Sequence, residues 1–207
     1  LNPHWFGEVK HTRLNQNKRI FIFIGGGAIY KDSIQRLIEV VRVLEQNYKF
    51  EVWVIGKGTD SFSSESLPKS MQFFGRLSFD KMYELLEKAD FLLPLLDPEN
   101  EKHQQYLQGT TSGSSQLILG FTIIPVIHTE FARHYGFSEE NAILYGNKTF
   151  TCAMQCALQI SPIEYKKKQH ALVQLRDLVY DVSLMNLQEA ITKCIKNKDF
   201  VEPIVEP

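Results

Sequence analysis

Three glycines in a row, Gly25-Gly26-Gly27, close the strand-like run Arg19-Ile20-Phe21-Ile22-Phe23-Ile24, and Lys31 follows at the start of an amphipathic stretch. Residues without side chains let backbone N–H groups come close to a phosphate, and a helix N-terminus carries the partial positive charge that favours it. Lys31 would add a full charge. The chemistry these residues suit is the holding of a phosphorylated ligand, first of all a nucleotide. Two phosphate patterns fail on detail. The dinucleotide fingerprint needs a third glycine where Tyr30 stands, and an acidic residue after the second strand, which ends instead in Gly56-Lys57-Gly58. The P-loop needs Gly-Lys-Ser/Thr, whereas the chain reads Tyr30-Lys31-Asp32, with a carboxylate where a hydroxyl should meet magnesium. The plain alternative is a strand-to-helix turn with no ligand.

The elements that must position these residues alternate along the chain. Apolar runs predict strands over 19–24, 50–55, 71–74, 91–95, 122–127 and 141–145. The first helix is predicted over 32–47, with Ile34, Leu37, Ile38, Val41 and Leu44 at helical spacing and Asp32 and Gln35 as a capping box. Ser78 is expected to cap a second helix with Met82, Leu85, Leu86 and Ala89 inward, and a polar loop to run from Asp97 to Thr111. Ser112-Gly113-Ser114-Ser115-Gln116 then opens a short apolar helix. From about residue 149 to 196 the chain reads as helical, with Leu172, Leu175, Val179, Leu187, Ile191 and Cys194 inward. Continuous apolar strands separated by helices imply an α/β fold, a Rossmann-like doubly wound and mostly parallel sheet of about six strands with extra C-terminal helices. Ligands of such sheets lie beyond the carboxyl ends of the strands, where the loops 25–31, 56–60, 75–77 and 97–116 all fall.

Composition narrows the partners. The chain has 207 residues, 43% of them hydrophobic, enough for one large domain with an appendage. A net charge of -1 supplies no basic field for a nucleic acid, so none is expected as a partner. No run approaches the roughly 20 apolar residues of a membrane span, and the start, Leu1-Asn2-Pro3-His4-Trp5, has no secretory pattern. Residues 1–18 read as an interdomain linker in a longer protein, 19–160 as the ligand-binding domain, 161–200 as helices packing on it, and 201–207 as a loose tail. Cys152, Cys156 and Cys194 read as buried thiols of a cytoplasmic protein, not as a disulfide framework or a metal site. Lys166-Lys167-Lys168 reads as a solvated helix face, and His128, His134 and His170 lack metal spacing.

The order of the loops resembles the donor-binding domain of GT-B fold glycosyltransferases, the group 1 or family 4 type in particular, over roughly residues 19–160. Five matches carry the resemblance. They are Gly25-Gly26 with Lys31, then Val54-Ile55-Gly56-Lys57-Gly58, then Phe73-Phe74-Gly75-Arg76-Leu77, then Ala89-Asp90, and last Phe91-Leu92-Leu93-Pro94. The family usually carries two glutamates eight positions apart, and here those places fall near Leu107 and Ser115. The chain offers Thr110-Thr111-Ser112-Gly113-Ser114-Ser115-Gln116 instead, where hydroxyls and N–H groups could grip a diphosphate or simply cap a helix.

The resemblance implies a nucleotide-sugar donor, UDP- or GDP-linked, with no cofactor and no metal. It implies an acceptor that is a saccharide or lipid-linked, a separate N-terminal acceptor domain, and peripheral membrane contact only through that other half. Lys31 is then the candidate catalytic cation, and Gly25, Gly26, Gly27, Gly56, Gly75, Arg76, Leu77, Ser112, Gly113, Ser114, Ser115 and Gln116 the candidate donor contacts. His103 and Tyr106, in the loop facing the cleft, are candidates for touching sugar or acceptor. Two rivals stand beside this reading: a sugar-nucleotide epimerase of the same fold, which needs acid and base groups in the cleft, and a non-catalytic module that docks a protein.

Overall fold

A computed structural model describes residues 18–26, 28–59, 62, 67–146 and 149–198 of the chain. Gly27, all but the last residue of the expected linker, and the expected tail lie outside the described residues. Six strands form one parallel sheet: β1 (Arg19–Ile24), β2 (Phe50–Ile55), β3 (Met71–Gly75), β4 (Phe91–Leu92), β5 (Ile124–His128) and β6 (Ile143–Tyr145). Their order across the sheet is β3-β2-β1-β4-β5-β6, so the winding reverses between β1 and β4. That reversal opens a crevice at the carboxyl ends of the strands, the usual ligand position in this architecture. β1 lies at its centre, and Phe21, Ile22 and Phe23 are wholly buried although successive side chains point to opposite faces. Both faces are therefore covered, as a parallel sheet requires. The Phe21 ring stacks on Phe91 of β4 at 5.1 Å. Each such side chain taken from water contributes roughly 1.5–3 kcal/mol.

Among the described residues, seven α-helices join the strands and close the layers: α1 (Lys31–Leu44), α2 (Phe79–Leu86), α3 (Glu101–Gln104), α4 (Gly113–Phe121), α5 (Thr129–His134), α6 (Phe150–Gln159) and α7 (Pro162–Lys198). α1 buries the expected stripe of Ile34, Leu37, Ile38, Val41 and Leu44. The expected capping box is absent. Tyr30 is the N-cap, with no side-chain cap bond, and Ile34 N–H donates to Tyr30 O at 2.8 Å. The reason is that Gly26 O already accepts from Ile29 and Tyr30 N–H, so the chain is turning before it reaches Asp32. Asp32 falls in the first turn, where a carboxylate complements the helix dipole. The helix also ends at Leu44, before the expected residue 47.

Other boundaries move for local reasons. β4 pairs over two residues only, because Pro94 has no N–H for the ladder and Leu95 turns into the left-handed region at φ 51°. Thr122 caps α4 at φ 48°, so β5 starts at Ile124 and not at Thr122. β6 is likewise shorter than its expected span. The expected polar loop holds α3, whose N-cap Asn100 accepts from Lys102 N–H at 3.0 Å, and a 3-10 turn over Gln105–Leu107. In α2 only Leu86 is buried, with Met82 and Leu85 half-buried, and Ala89 just beyond the helix is buried.

Asp90 is wholly buried and accepts from Ile20 N–H at 2.7 Å, and its carbonyl takes the Tyr165 hydroxyl at 3.0 Å. The pair Ala89-Asp90 thus holds the start of β1 and the first turn of α7 together. The three cysteines are exposed, against expectation. Cys152 and Cys156 share the outer face of α6 because Phe150, Ala153, Met154 and Ala157 take the inner one. α7 docks through Tyr165 and Leu172, with Leu175 and Val179 half-buried, but Leu187, Ile191 and Cys194 are exposed and not inward as expected. Among the described residues no helix is long and apolar enough to cross a membrane.

Candidate functional site

The three turns that follow β1, β2 and β3 meet through their glycines. Gly25 N–H donates to Ile55 O at 3.0 Å and Gly56 N–H to Gly75 O at 2.8 Å. Gly56 has φ 149°, and a Cβ placed there would stand 1.8 Å from Gly25 O. Only glycine lets these turns lie so close. The N–H groups of Gly25 and Gly56 are therefore spent on joining strand ends, which corrects the expectation that they face a ligand. Gly26 differs: a Cβ there would meet nothing within 4 Å, and its N–H has no acceptor among the described residues. Gly75 is buried in the turn, Arg76 exposed and Leu77 half-buried, at the β3 edge of the sheet.

The first helix after the reversal carries charge. Lys31 is exposed and forms no ion pair among the described residues. The N–H groups of Lys31, Asp32 and Ser33, which open α1, have no acceptor there either. On the other side of the reversal, α4 begins at Ser112, which is the N-cap. Ser112 Oγ accepts from Ser114 N–H at 3.3 Å, and Ser115 Oγ donates to Ser112 O at 2.7 Å. Ser112, Ser114 and Ser115 are buried, and the Ser112 hydroxyl caps the helix, the role expected as the alternative. Gly113 is the exposed member of this turn, its N–H without an acceptor among the described residues, and Gln116 is half-buried.

A line of rings runs between the two helix starts. Tyr30, the N-cap of α1, stacks on His103 at 4.8 Å, and His103 lies 6.3 Å from the Tyr106 ring. Tyr135 Oη reaches Tyr106 O at 3.2 Å and accepts from Ser112 N–H at 3.2 Å. Burial, first, and the neighbouring Tyr106 hydroxyl, second, hold the Tyr30 hydroxyl well above its ordinary pKa, so it is a neutral group at any working pH. His103 is wholly buried, which corrects the expectation that it stands open to the cleft. Its Nδ1 accepts from Asp97 N–H at 2.9 Å, so the proton sits on Nε2, which has no partner among the described residues. Burial lowers its pKa, against a smaller opposing pull from Asp97. Tyr106 is half-buried at the end of this line.

Below the line, Ser33, Arg36, Leu95, Leu96, Asp97, His128, Tyr145 and Phe150 line a small cleft at the carboxyl ends of β4, β5 and β6. Arg36 pairs with Asp97 across it at 3.0 Å. Sequence reasoning missed Tyr30, Arg36, Asp97 and Tyr135 in this region. The signal for α3 was present in Asn100-Glu101, a capping residue followed by a helix former. Nothing in a linear reading points to Tyr135, which meets its partners 23 to 29 residues away. Among the described residues no three His, Cys, Asp or Glu side chains are grouped to hold a metal ion.

No family model and no curated protein matches the sequence. The fold does match solved structures. Sucrose-phosphate synthase from Thermosynechococcus elongatus aligns with a TM-score of 0.63 at 10% identity, over 89% of this chain and 47% of that one. The C-terminal domain of LpcC, a glycosyl transferase group 1 family protein from Francisella tularensis, aligns with a TM-score of 0.58 at 15% identity, over 79% of this chain and 86% of that one. The E. coli trehalose-6-phosphate synthase bound with UDP-2-fluoro glucose aligns with a TM-score of 0.58 at 11% identity, over 93% of this chain and 48% of that one. The chain thus spans about half the length of the two synthases. Its structural neighbours are GT-B glycosyltransferases, and it has the Rossmann-like fold found in one half of them.

Proposed function

We propose that this chain is the nucleotide-sugar donor-binding half of a glycosyltransferase that acts together with a separate acceptor half. One observation carries the reading. Lys31, exposed and outside any ion pair among the described residues, stands on the first turn of α1 where the sheet reverses. A cation at a helix N-terminus is repelled by the dipole unless an anion joins it. The unengaged N–H groups of Gly26 and Gly113 offer donors on either side of the reversal. A diphosphate supplies the missing negative charge, and a neighbour of the same fold holds a UDP-sugar analogue.

In the reaction, the bond between the sugar's anomeric carbon and the diphosphate oxygen breaks and its electron pair leaves with the diphosphate. The acceptor hydroxyl oxygen bonds to that carbon, and its proton passes to a base of the acceptor half or to the departing diphosphate oxygen. Negative charge grows on the leaving group, and Lys31 with the open N–H groups is placed to stabilise it, each such donor being worth roughly 3 kcal/mol. Arg76 and Leu77 border the part of the crevice suited to the base. The donor is UDP- or GDP-linked, the acceptor a saccharide or lipid-linked, and no cofactor takes part. The epimerase reading is not favoured: among the described residues, His103 is buried and Asp97 is bound to Arg36.

The test is a thermal-shift and calorimetric panel of UDP, GDP, ADP and their sugar conjugates on the chain and on Lys31→Ala. Stabilisation by one nucleotide family, and an affinity about a hundredfold weaker in Lys31→Ala at unchanged melting temperature, is the expected result. A flat panel refutes donor binding and favours the docking module.

A further inference from the structure

The turn that presents Gly113 is held from behind by a residue the proposed function does not use. Tyr135 is the C-cap of α5, on the connection from β5 to β6, and its N–H is tied to Phe131 and Ala132 carbonyls. Its Oη accepts from Ser112 N–H at 3.2 Å and lies 3.2 Å from Tyr106 O and 3.3 Å from Thr110 O, either of which can take its single proton. Three backbone groups spread over residues 106–112 therefore converge on one oxygen. Between them, Gln108 and Thr110 N–H each donate to Gln105 O at 3.2 Å, while Gly109 and Thr111 N–H have no backbone acceptor among the described residues. Gln108, Gly109, Thr110 and Thr111 are all exposed, and Gly109 sits at φ 103°. The anchor is firm by contrast, since Phe131 and Ala132 of α5 are wholly buried.

We infer that Tyr135 is a positioning residue for the diphosphate: by taking Ser112 N–H, its hydroxyl fixes the turn that aims Gly113 N–H into the crevice. The inference rests on the donor-binding reading above and deepens it, because it names a residue that acts on the phosphate subsite without touching the ligand. Loss of the hydroxyl leaves Ser112 N–H unpaired and frees the 106–112 turn, while the phenyl ring keeps its place. A nucleoside lacks phosphates and does not feel the change.

The experiment compares wild type with Tyr135→Phe in the 207-residue chain. Calorimetry measures UDP, GDP and ADP against uridine, guanosine and adenosine, and amide exchange follows residues 106–116. The expected result is a diphosphate affinity about ten-fold weaker, the loss of one hydrogen bond, with nucleoside affinity unchanged and faster exchange over 108–113. Equal diphosphate affinity in the two proteins overturns the positioning role and leaves donor binding standing. So does an equal loss for nucleoside and diphosphate, which is what a merely structural residue would produce. A fast-exchanging Ser112 amide in wild type overturns it without any variant. If wild type binds no nucleotide, the donor reading falls first and this inference with it.

Discussion

His103 is a fully buried ring, tilted against Tyr30 at 4.8 Å, with Nδ1 used and Nε2 without a partner among the described residues. Such a ring stays neutral in the folded state, and its pKa is lowered by burial. The consequence for stability has a definite sign. As pH falls through the unfolded value of 6.5, the unfolded chain takes up a proton that the folded ring refuses, so stability declines until the lowered folded pKa is reached. The slope from this one group is at most about 1.4 kcal/mol per pH unit. His103→Asn keeps an acceptor for Asp97 N–H and cannot titrate. Urea unfolding of both proteins between about pH 7 and pH 5 is expected to show a shallower pH dependence in the variant. Identical slopes would mean that the ring titrates in the folded protein as it does in the unfolded chain. Lys31 marks the opposite case, an exposed charge outside any ion pair among the described residues, and under the proposed function its test belongs with the ligand.

The turns after β1 and β2 show one residue type in two roles. Gly56 is required by packing, since a Cβ would collide with Gly25 O, whereas Gly26 faces open space. Gly56→Ala is expected to force the two strand ends apart and to cost roughly 3 kcal/mol or more in equilibrium unfolding. Gly26→Ala should stay within about 0.5 kcal/mol of wild type but weaken diphosphate binding, because a methyl group then sits beside the open N–H. Equal stability losses would show that both glycines are structural. The α4 start follows the same division: the Ser112 hydroxyl caps the helix and the Ser115 hydroxyl bonds back to Ser112 O, while Gly113 is exposed. Among the described residues, the N–H groups of Gly26 and Gly113, one on each side of the reversal, have no acceptor.

For the whole molecule, α7 separates what this chain stabilises by itself from what it leaves uncovered. Leu172 is wholly buried against the domain, while Ile191 is 50% exposed and Ile195 60%. Leu172→Ala should cost about 2–5 kcal/mol, and Ile191→Ser less than about 0.5 kcal/mol, in urea unfolding of this chain. A loss at Ile191 as large as that at Leu172 would mean that the distal helix is packed in solution. The uncovered half matters for reading the sequence too, because its apolar spacing predicted an inward face that the domain does not bury.

The sequence by itself determined the sheet. Apolar runs over β1 and β2 read as covered parallel strands, and their spacing set the alternation with helices, because burial on both faces leaves a near-continuous apolar signal. It also determined the glycine turns and Lys31 as the place to look for an anion, since bare backbone at a helix start is a local property. It misplaced the α1 start because the capping side chains compete with a turn already formed at Gly26, and it missed α3 inside a polar stretch. Only the tertiary structure decided which N–H groups remain free, that His103 is sealed behind Tyr30, and that Tyr135 reaches back to Ser112. The physical reason is the same in each case. Hydrogen bonds and ring contacts between residues far apart in the chain depend on where strands end relative to one another, and strand alignment is fixed by the packing of the whole sheet.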